Sequence, residues 1–334
     1  MKSFGEMPDL SSASDHKLDS GQTSTPVVLF LFRRPSETKV LLESLSKVKP
    51  SKLYVVMDAA RKGNSDEALL VDRVKSLVDE ISWEATITKV YASENLGLRE
   101  RILTGLDFVF AREPRAIILE DDCIPHETFF RYSEELLEVY EDKPNLGIIS
   151  GFNPRELKSS TDSYHFVFAP YIWGWATWSR VWREFRSSPQ VEKWGKVETE
   201  SVLETFDHSS AKRSFAKMML LASSLNTWDI SFDVFLRGSR KINILPSVNL
   251  IRNIGFGGGA THTFFEFFDV PQDTRAMRFP LQHPKETKPE AAHEVHHWRH
   301  RNLSWVTFPI THPLETLRRI ASYAKSRPGS RAKK

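Results

Sequence analysis

The chain has 334 residues, of which 40% are hydrophobic and 27% are charged, a composition typical of a globular protein. Its 46 basic and 43 acidic residues leave a net charge of +3, so the overall charge gives no reason to expect a nucleic-acid partner. The single cysteine, Cys123, excludes an intrachain disulfide framework, and no run approaches the roughly 18 apolar residues that a membrane span needs.

The first 25 residues are rich in Ser, Asp and Gly, and they predict a disordered leader. They lack the charged and then apolar regions of a secretory signal. Together with the lone cysteine, which fits a reducing compartment, this predicts a cytoplasmic protein.

Apolar strands then alternate with amphipathic helices. The predicted strands are 27–32, 53–57, 86–91 and 116–120, with helices at about 35–48, 70–81 and 99–110 between them; a helix at 127–140 and a strand at 147–150 follow. This alternation predicts an α/β fold with a mostly parallel sheet flanked by helices.

The fourth predicted strand stops on three consecutive acids, Glu120, Asp121 and Asp122. Like charges this close repel one another unless a cation lies among them, and ligands of open α/β sheets bind at the carboxyl ends of the strands. The triplet therefore indicates a seat for a divalent metal that holds phosphate. The alternative is a solvated acidic turn.

Polar residues also follow the other three strands: Arg34, Asp58, Asn95 and Arg99. A parallel sheet gathers such residues along one edge, where they supply basic groups for phosphates and an acid and an amide for a base or ribose. Each one alone can instead be a helix cap, a turn residue or a solvated charge. The chain has neither a Gly-x-Gly-x-x-Gly motif after the first strand nor a Walker loop, so a dinucleotide fold and a P-loop nucleotidase are not indicated.

The second half is aromatic and less periodic, and no linker separates it from the first. We therefore expect one domain over residues 26–310, with an irregular, acceptor-facing second half. Trp173 and Trp175 belong to a dense aromatic segment, in which rings either stack on a sugar or fill the core.

The C-terminal residues 311–334 predict a basic amphipathic helix and tail. Such a helix can contact an anionic membrane surface peripherally, or it can pack on the domain and leave a solvated tail. The histidines at 293, 296, 297 and 300 have a spacing that suits a transition metal, but apart from Glu294 no cysteine or carboxylate completes an obvious ligand set around them.

Six segments in order carry a family resemblance: Phe32-Arg33-Arg34-Pro35, Asn95-Leu96-Gly97-Leu98, Ile118-Leu119-Glu120-Asp121-Asp122, Trp173-Gly174-Trp175-Ala176-Thr177-Trp178, Thr227-Trp228-Asp229, and the stretch from Asn253-Ile254-Gly255-Phe256-Gly257 to Ala260-Thr261-His262-Thr263. With them the chain resembles bacterial family-2-like nucleotide-sugar glycosyltransferases of the GT-A fold, and more distantly N-acetylglucosaminyltransferase I. The resemblance implies a GT-A, Rossmann-like domain.

The resemblance also implies roles for the donor-side residues. Asp122 corresponds to the metal-binding acid of a DxD-like motif, whereas Glu120 and Asp121 face ribose and sugar. Asp58 matches an acid that reads uracil, and Asn95 lies in a matching turn. Arg34 and Arg99 match basic positions near the nucleotide, with Arg101 as a rival to Arg99. Similar chains often have Asn in place of Arg33.

On the acceptor side, the resemblance places the catalytic base at Asp229 and a late metal or diphosphate ligand at His262. Asp233 ranks second as the base, and Asp229 can alternatively cap a helix. His262 can alternatively be an ordinary loop histidine.

The expected function is a glycosyltransferase that uses Mn²⁺ or Mg²⁺. It would move a sugar from a nucleotide-diphosphate donor, with UDP favoured, to a hydroxyl of a glycan, lipid-linked or protein acceptor, with inversion. The alternatives are a nucleotidyltransferase with a strand-end metal site and a noncatalytic sugar-binding module. No nucleic-acid partner is expected.

Overall fold

The computed structural model describes residues 23–154, 161–188, 196–222, 228–255, 273–295 and 297–298. Its strands are β1 (Val27–Leu31), β2 (Lys52–Met57), β3 (Thr86–Tyr91), β4 (Arg115–Glu120), β5 (Cys123–Pro125), β6 (Leu146–Ser150), β7 (Tyr164–Val167), β8 (Trp175–Trp178), β9 (Ile242–Pro246) and β10 (Ile251–Asn253). Its helices are α1 (Pro35–Val48), α2 (Ser65–Asp79), α3 (Leu98–Phe110), α4 (Thr128–Val139), α5 (Ser179–Ser187), α6 (Lys196–Leu203), α7 (Ser209–Ala222) and α8 (Asp229–Gly238).

Eight strands form one sheet in the order β3-β2-β1-β4-β8-β6-β9-β7. The four strands of the first half are all parallel to one another, since β1 pairs with β2 and β4, and β2 pairs with β3. β1 is buried along its whole length, as the apolar runs of a sheet covered on both faces require. The predicted α/β fold with its mostly parallel sheet is confirmed.

The second half extends this sheet with antiparallel pairings. β8 runs antiparallel to both β4 and β6, and β7 runs antiparallel to β9. A separate two-stranded sheet joins β5 to β10, with Ile251 opposite Pro125. Of these later strands the sequence predicted only β6, because short strands with distant partners have little periodicity of their own.

One hydrophobic core includes residues from both halves of the chain, among them Leu29, Ile118, Trp182 and Ile251. A smaller cluster around Phe215 lies against α6, α7 and α8. The shared core agrees with the absence of a linker in the sequence.

Residues 23–25, which the sequence predicted as part of a disordered leader, contact the domain. Glu134 on α4 is only 8% exposed. Its carboxylate accepts hydrogen bonds from the backbone N–H groups of Ser24 and Thr25 at 3.0 and 2.9 Å, and from the hydroxyl of Thr23 at 3.2 Å. A buried carboxylate needs such donors, and their supply fixes residues 23–25 on the domain.

Several predictions lie outside the described residues. They are the leader up to residue 22, His262 with its glycine run, His296, His300, and the C-terminal segment 311–334. Among the helices that are described, none combines the length and the apolar character needed to cross a bilayer.

Candidate active site

The acidic triplet lies where β4 ends and the chain turns toward β5. Glu120 is the last residue of β4 and is paired in register with Phe30 of β1. Asp121 and Asp122 form the turn that follows, with Asp121 only 8% exposed. The strand pairing therefore sets the three acids beside the residues that follow β1.

Arg34 is the residue that meets them. Its Nη1 atom donates to Oδ1 of Asp121 at 3.1 Å and to Oδ2 of Asp122 at 2.6 Å. Burial opposes the charge on Arg34, but the two aspartates outweigh it and raise the pKa of the guanidinium above its ordinary value. The positive charge of Arg34 thus lies between the two carboxylates and offsets the repulsion that the sequence predicted.

Burial and mutual repulsion favour the protonated forms of Glu120 and Asp121. Burial, followed by the charges of Asp122, Asp121 and Asp229, raises the pKa of Glu120 to about 8. Burial and then Asp122 raise the pKa of Asp121 to about 7, against the opposing effect of Arg34. A cation at this site would stabilise the ionised carboxylates against burial and mutual repulsion.

Asp229 belongs to the same site although it is more than a hundred residues away in sequence. It is the first residue of α8, and Trp228 occupies the N-cap position without a side-chain capping bond. Trp228 is buried and stacks on Trp175, with the ring centroids 5.9 Å apart. This packing fixes the start of α8 at a position where the charge of Asp229 affects Glu120. The N-cap residue is Trp228, so the alternative interpretation of Asp229 as the N-cap is wrong.

The small sheet brings a further segment onto the acids, which the sequence did not predict. Because β10 pairs with β5, the N–H of Ile254 donates to the backbone oxygen of Asp122 at 2.8 Å. Gly255 lies so close that a Cβ atom there would collide with Oδ2 of Asp122. The N–H of Gly255 in turn donates to Oδ1 of Asn253 at 2.8 Å. A side chain at position 255 would therefore displace the Asp122 carboxylate.

Asp58 and Asn95 are brought together after β2 and β3. The Asp58 carboxylate accepts from the backbone N–H groups of Leu96 and Gly97, both at 2.9 Å, and from Nδ2 of Asn95 at 3.1 Å. It also accepts from the N–H of Ala59 at 3.0 Å. Four donors match the capacity of a carboxylate, so in this structure Asp58 holds the loop that precedes α3. A contact between Asp58 and uracil stays a prediction.

The two candidate arginines of α3 have different surroundings. The side chain of Arg99 is 20% exposed, and its Nη1 lies 3.2 Å from Glu100. Arg101 is buried, donates from Nη2 to the backbone oxygen of Val90 at 2.7 Å, and has its pKa lowered by burial against the opposing charge of Asp58. Arg101 is thus committed to the fold, which favours Arg99 for a ligand.

The prediction that Trp175 contacts a substrate requires correction. Trp175 lies on β8, is 1% exposed and packs against Trp228 and Phe232. A central position in the sheet leaves its ring no access to a ligand. Trp173 is only partly buried and rests on Phe152, with centroids 4.6 Å apart, so it remains the aromatic candidate.

Mg²⁺ and Mn²⁺ prefer oxygen ligands, which the carboxylates at this site supply. In the described part of the chain, no group of three His, Cys, Asp or Glu side chains converges as a metal site, and this includes His293 and His297. However, Asp121 and Asp122 converge on one cation, Arg34. Mg²⁺ is commonly held by one or two carboxylates together with substrate phosphates. The two aspartates fit that type of site.

No family model and no curated protein matches the sequence. Among solved structures, an apo UDP-glucose pyrophosphorylase is 9% identical, with 67% of this chain and 90% of that chain covered and a TM-score of 0.35. The 4-diphosphocytidyl-2C-methyl-D-erythritol synthase of Anaerococcus prevotii is 12% identical, covering 56% and 84%, with a TM-score of 0.32. The apo bifunctional glycosyltransferase WbbM is 10% identical, covering 65% and 37%, with a TM-score of 0.30. Similarities this remote do not bear on the function.

Proposed function

We propose that the protein is a metal-dependent glycosyltransferase that takes a sugar from a nucleotide-diphosphate donor, with UDP as the favoured nucleotide. The acceptor is a hydroxyl group of a glycan, a lipid-linked sugar or a protein. The observation that carries the proposal is the placement of Asp229, a separate carboxylate on another element, close enough to raise the pKa of Glu120. Metal-dependent sugar transfer with inversion uses both a cation-binding site and a separate base, and the proposal assigns these two roles to the acids after β4 and to Asp229.

On the donor side, Asp122 would hold Mn²⁺ or Mg²⁺, and Asp121, which shares Arg34 with it, would join it as a metal ligand instead of facing the ribose or sugar. When bound, the metal neutralises the charge of the leaving diphosphate as a Lewis acid. Arg34 adds a permanent positive charge at the same place. Glu120, whose pKa is raised to about 8 by burial and by the neighbouring acids, would face a hydroxyl of the ribose or sugar.

On the acceptor side, Asp229 is the proposed general base. The attacking hydroxyl must lose its proton as the bond to the sugar carbon forms. Asp229 is the first residue of α8, at the end of the helix where the macrodipole attracts negative charge. Attack from the side opposite the leaving diphosphate inverts the anomeric centre. Asp233 lies one turn further along α8 and is the second candidate.

The test is donor hydrolysis. The protein is incubated with Mn²⁺ and a panel of nucleotide sugars, and the released nucleotide products are separated. We expect release of a nucleoside diphosphate from one donor, and loss of that release in Asp122→Ala with an unchanged circular dichroism spectrum. If no nucleotide sugar is bound or cleaved, the proposal is wrong. Formation of a nucleotide sugar from a nucleoside triphosphate and a sugar phosphate, with release of pyrophosphate, would support a nucleotidyltransferase instead.

A further inference from the structure

Two guanidinium groups share one buried carboxylate beside the acidic site. Nη1 of Arg33 lies 2.7 Å from Oε1 of Glu67, and Nη1 of Arg61 lies 2.6 Å from the same oxygen. The backbone N–H of Arg61 donates to Oε2 at 2.8 Å. We call these three residues the Arg–Glu cluster.

Three elements build this cluster at one edge of the sheet. Arg33 follows β1, and Arg61 follows the parallel and adjacent β2. Glu67 lies in the first turn of α2, where the side chain of Asn64 accepts from the Glu67 N–H at 3.0 Å. The cluster therefore stands at the carboxyl ends of the strands, where α/β sheets bind their ligands.

Arg33 and Arg34 are consecutive but serve opposite sides of this edge. Arg34 turns toward the acids after β4, whereas Arg33 turns toward α2. A chain of positive groups, from Arg61 through Arg33 to Arg34, thus runs along the carboxyl ends of β2, β1 and β4.

The charges in the cluster do not balance. Two guanidiniums face one carboxylate, which leaves one net positive charge. The side chain of Glu67 is 2% exposed, whereas those of Arg33 and Arg61 are 33% and 52% exposed. One guanidinium would satisfy the buried carboxylate as an ion pair, so the second is in excess of what the fold requires.

The exposed guanidiniums are also oriented. The Cζ atoms of Arg33 and Arg61 lie 5.8 and 6.0 Å from the ring centroid of Phe32, within the range of a cation–π contact. A guanidinium has five N–H donors, and Glu67 takes only one side-chain donor from each arginine in the described residues. Exposed, prealigned guanidinium forks are the groups that recognise phosphate.

We propose that the Arg–Glu cluster binds a phosphate group of the donor's nucleoside diphosphate, with Glu67 as a positioning residue. This inference rests on the proposed function for the identity of the donor. It adds Arg33 and Arg61 to the donor site, so that part of the diphosphate charge is met by the protein without a metal.

The test measures binding by calorimetry to the full chain in EDTA, with UDP, pyrophosphate and uridine as probes. We expect Arg61→Gln and Arg33→Gln each to weaken UDP and pyrophosphate binding about tenfold, the usual effect of losing a charge-assisted contact. Uridine, which has no phosphate, should bind equally to all variants. Arg61→Lys should recover only part of the affinity because a lysine has no fork.

The matched control is Arg73→Gln. Arg73 is an exposed arginine on α2, the helix that carries Glu67, and its Nη1 is 3.8 Å from Glu80. This variant should leave all three affinities unchanged. If Arg61→Gln lowers the melting temperature but binds UDP and pyrophosphate like the unmodified protein, the cluster is only structural and the inference is wrong. If pyrophosphate binding weakens while UDP binding does not, the assignment to the donor is wrong.

The outcomes separate the two proposals. Arginine-dependent UDP binding without cleavage of any nucleotide sugar would overturn the proposed transferase and leave the phosphate site standing. Cleavage of a nucleotide sugar that is unaffected by Arg33→Gln and Arg61→Gln, in both KM and binding, would overturn the phosphate site and leave the transferase standing.

Discussion

Nη1 of Arg34 donates to Oδ2 of Asp122 at 2.6 Å and to Oδ1 of Asp121 at 3.1 Å, so one guanidinium lies between the two acids that are proposed to hold the metal. A metal ion held by Asp122, as proposed, would compete with this guanidinium for the same carboxylate. Mn²⁺ binding by a variant at Arg34 is therefore the most direct test of the proposed metal site.

We expect Arg34→Gln to bind Mn²⁺ more tightly than the unmodified protein when no nucleotide is present, on the order of tenfold, because a competing charge-assisted contact is lost. The same variant should bind the donor more weakly, because a positive charge near the diphosphate is removed. Calorimetry with Mn²⁺ and then with UDP measures both effects. Weaker Mn²⁺ binding in Arg34→Gln would show that Arg34 does not lie in the metal's place.

Metal binding should depend on pH through Glu120 and Asp121. Their pKa values are raised to about 8 and about 7, so near pH 6 both carry a proton that a metal would have to displace. We expect the Mn²⁺ affinity to rise between pH 6 and pH 8, and we expect Mn²⁺ binding to release protons. Calorimetry in buffers of different ionisation enthalpy counts those protons, and Glu120→Gln should reduce the count. A flat affinity over this range would contradict the prediction.

Asp229→Asn should lower kcat for sugar transfer by about 10²- to 10⁴-fold, the usual contribution of a general base. The KM for the donor should change little, because the amide keeps the shape of the side chain. Initial rates at saturating donor and acceptor measure the effect. Asp233→Asn is the matched comparison, and a larger loss of kcat there would transfer the role of base to Asp233.

Gly255→Ala should impair metal and donor binding with little effect on folding, because a Cβ at this position collides with Oδ2 of Asp122. Gly105→Ala provides the contrast. There a Cβ would come within 2.6 Å of Val56 in the core, so the melting temperature should fall while Mn²⁺ affinity is preserved. Calorimetry and thermal unfolding on both variants separate the two effects, and normal Mn²⁺ binding in Gly255→Ala would contradict the contact.

His165 should weaken the fold in acid. It is 5% exposed on β7, and burial lowers its pKa from 6.5 to about 4. Between these two pH values His165 binds a proton in the unfolded chain but not in the folded protein. The free energy of unfolding therefore falls as pH decreases from 6.5 to 4, by about 3 kcal/mol in all, and is unaffected above 6.5.

His165→Phe should remove this part of the acid sensitivity. Urea unfolding at pH 7 and pH 4.5, compared between the variant and the unmodified protein, isolates it from other groups. His208→Gln, at an exposed histidine, is the control and should leave the pH dependence unchanged. An equal loss of stability in His165→Phe and the unmodified protein would refute the assignment.

Local patterns predicted the first half of the fold well. The apolar runs that became β1 to β4 and the helices between them are spaced as parallel units demand, and the strand ends carry Arg34, Asp58, Asn95 and the acids. Asp58 shows the limit of this approach. Its position at a strand end was visible, but its four hydrogen bonds to the loop before α3 were not, because they depend on how two connections meet in space.

The second half was harder to predict for the same reason. Trp173 and Trp175 are two residues apart and are equivalent in the sequence, yet the pairing of β8 with β4 and β6 puts Trp175 in the core. The sequence does not indicate that Arg61 and Glu67 are related, because they are separate charges on a loop and a helix. Their relation appears only when β1 and β2 bring Arg33 beside them.

The sequence by itself determined the α/β class, the parallel order of the early elements and the acidic end of β4, because these follow from hydrophobic periodicity and from charges that are neighbours in the chain. The tertiary structure decided which distant groups meet those acids: Arg34 between Asp121 and Asp122, Asp229 near Glu120, and Gly255 against Asp122. The physical reason is that such contacts depend on strand register and helix packing between segments far apart in sequence. A local sequence pattern does not specify which distant segments come into contact.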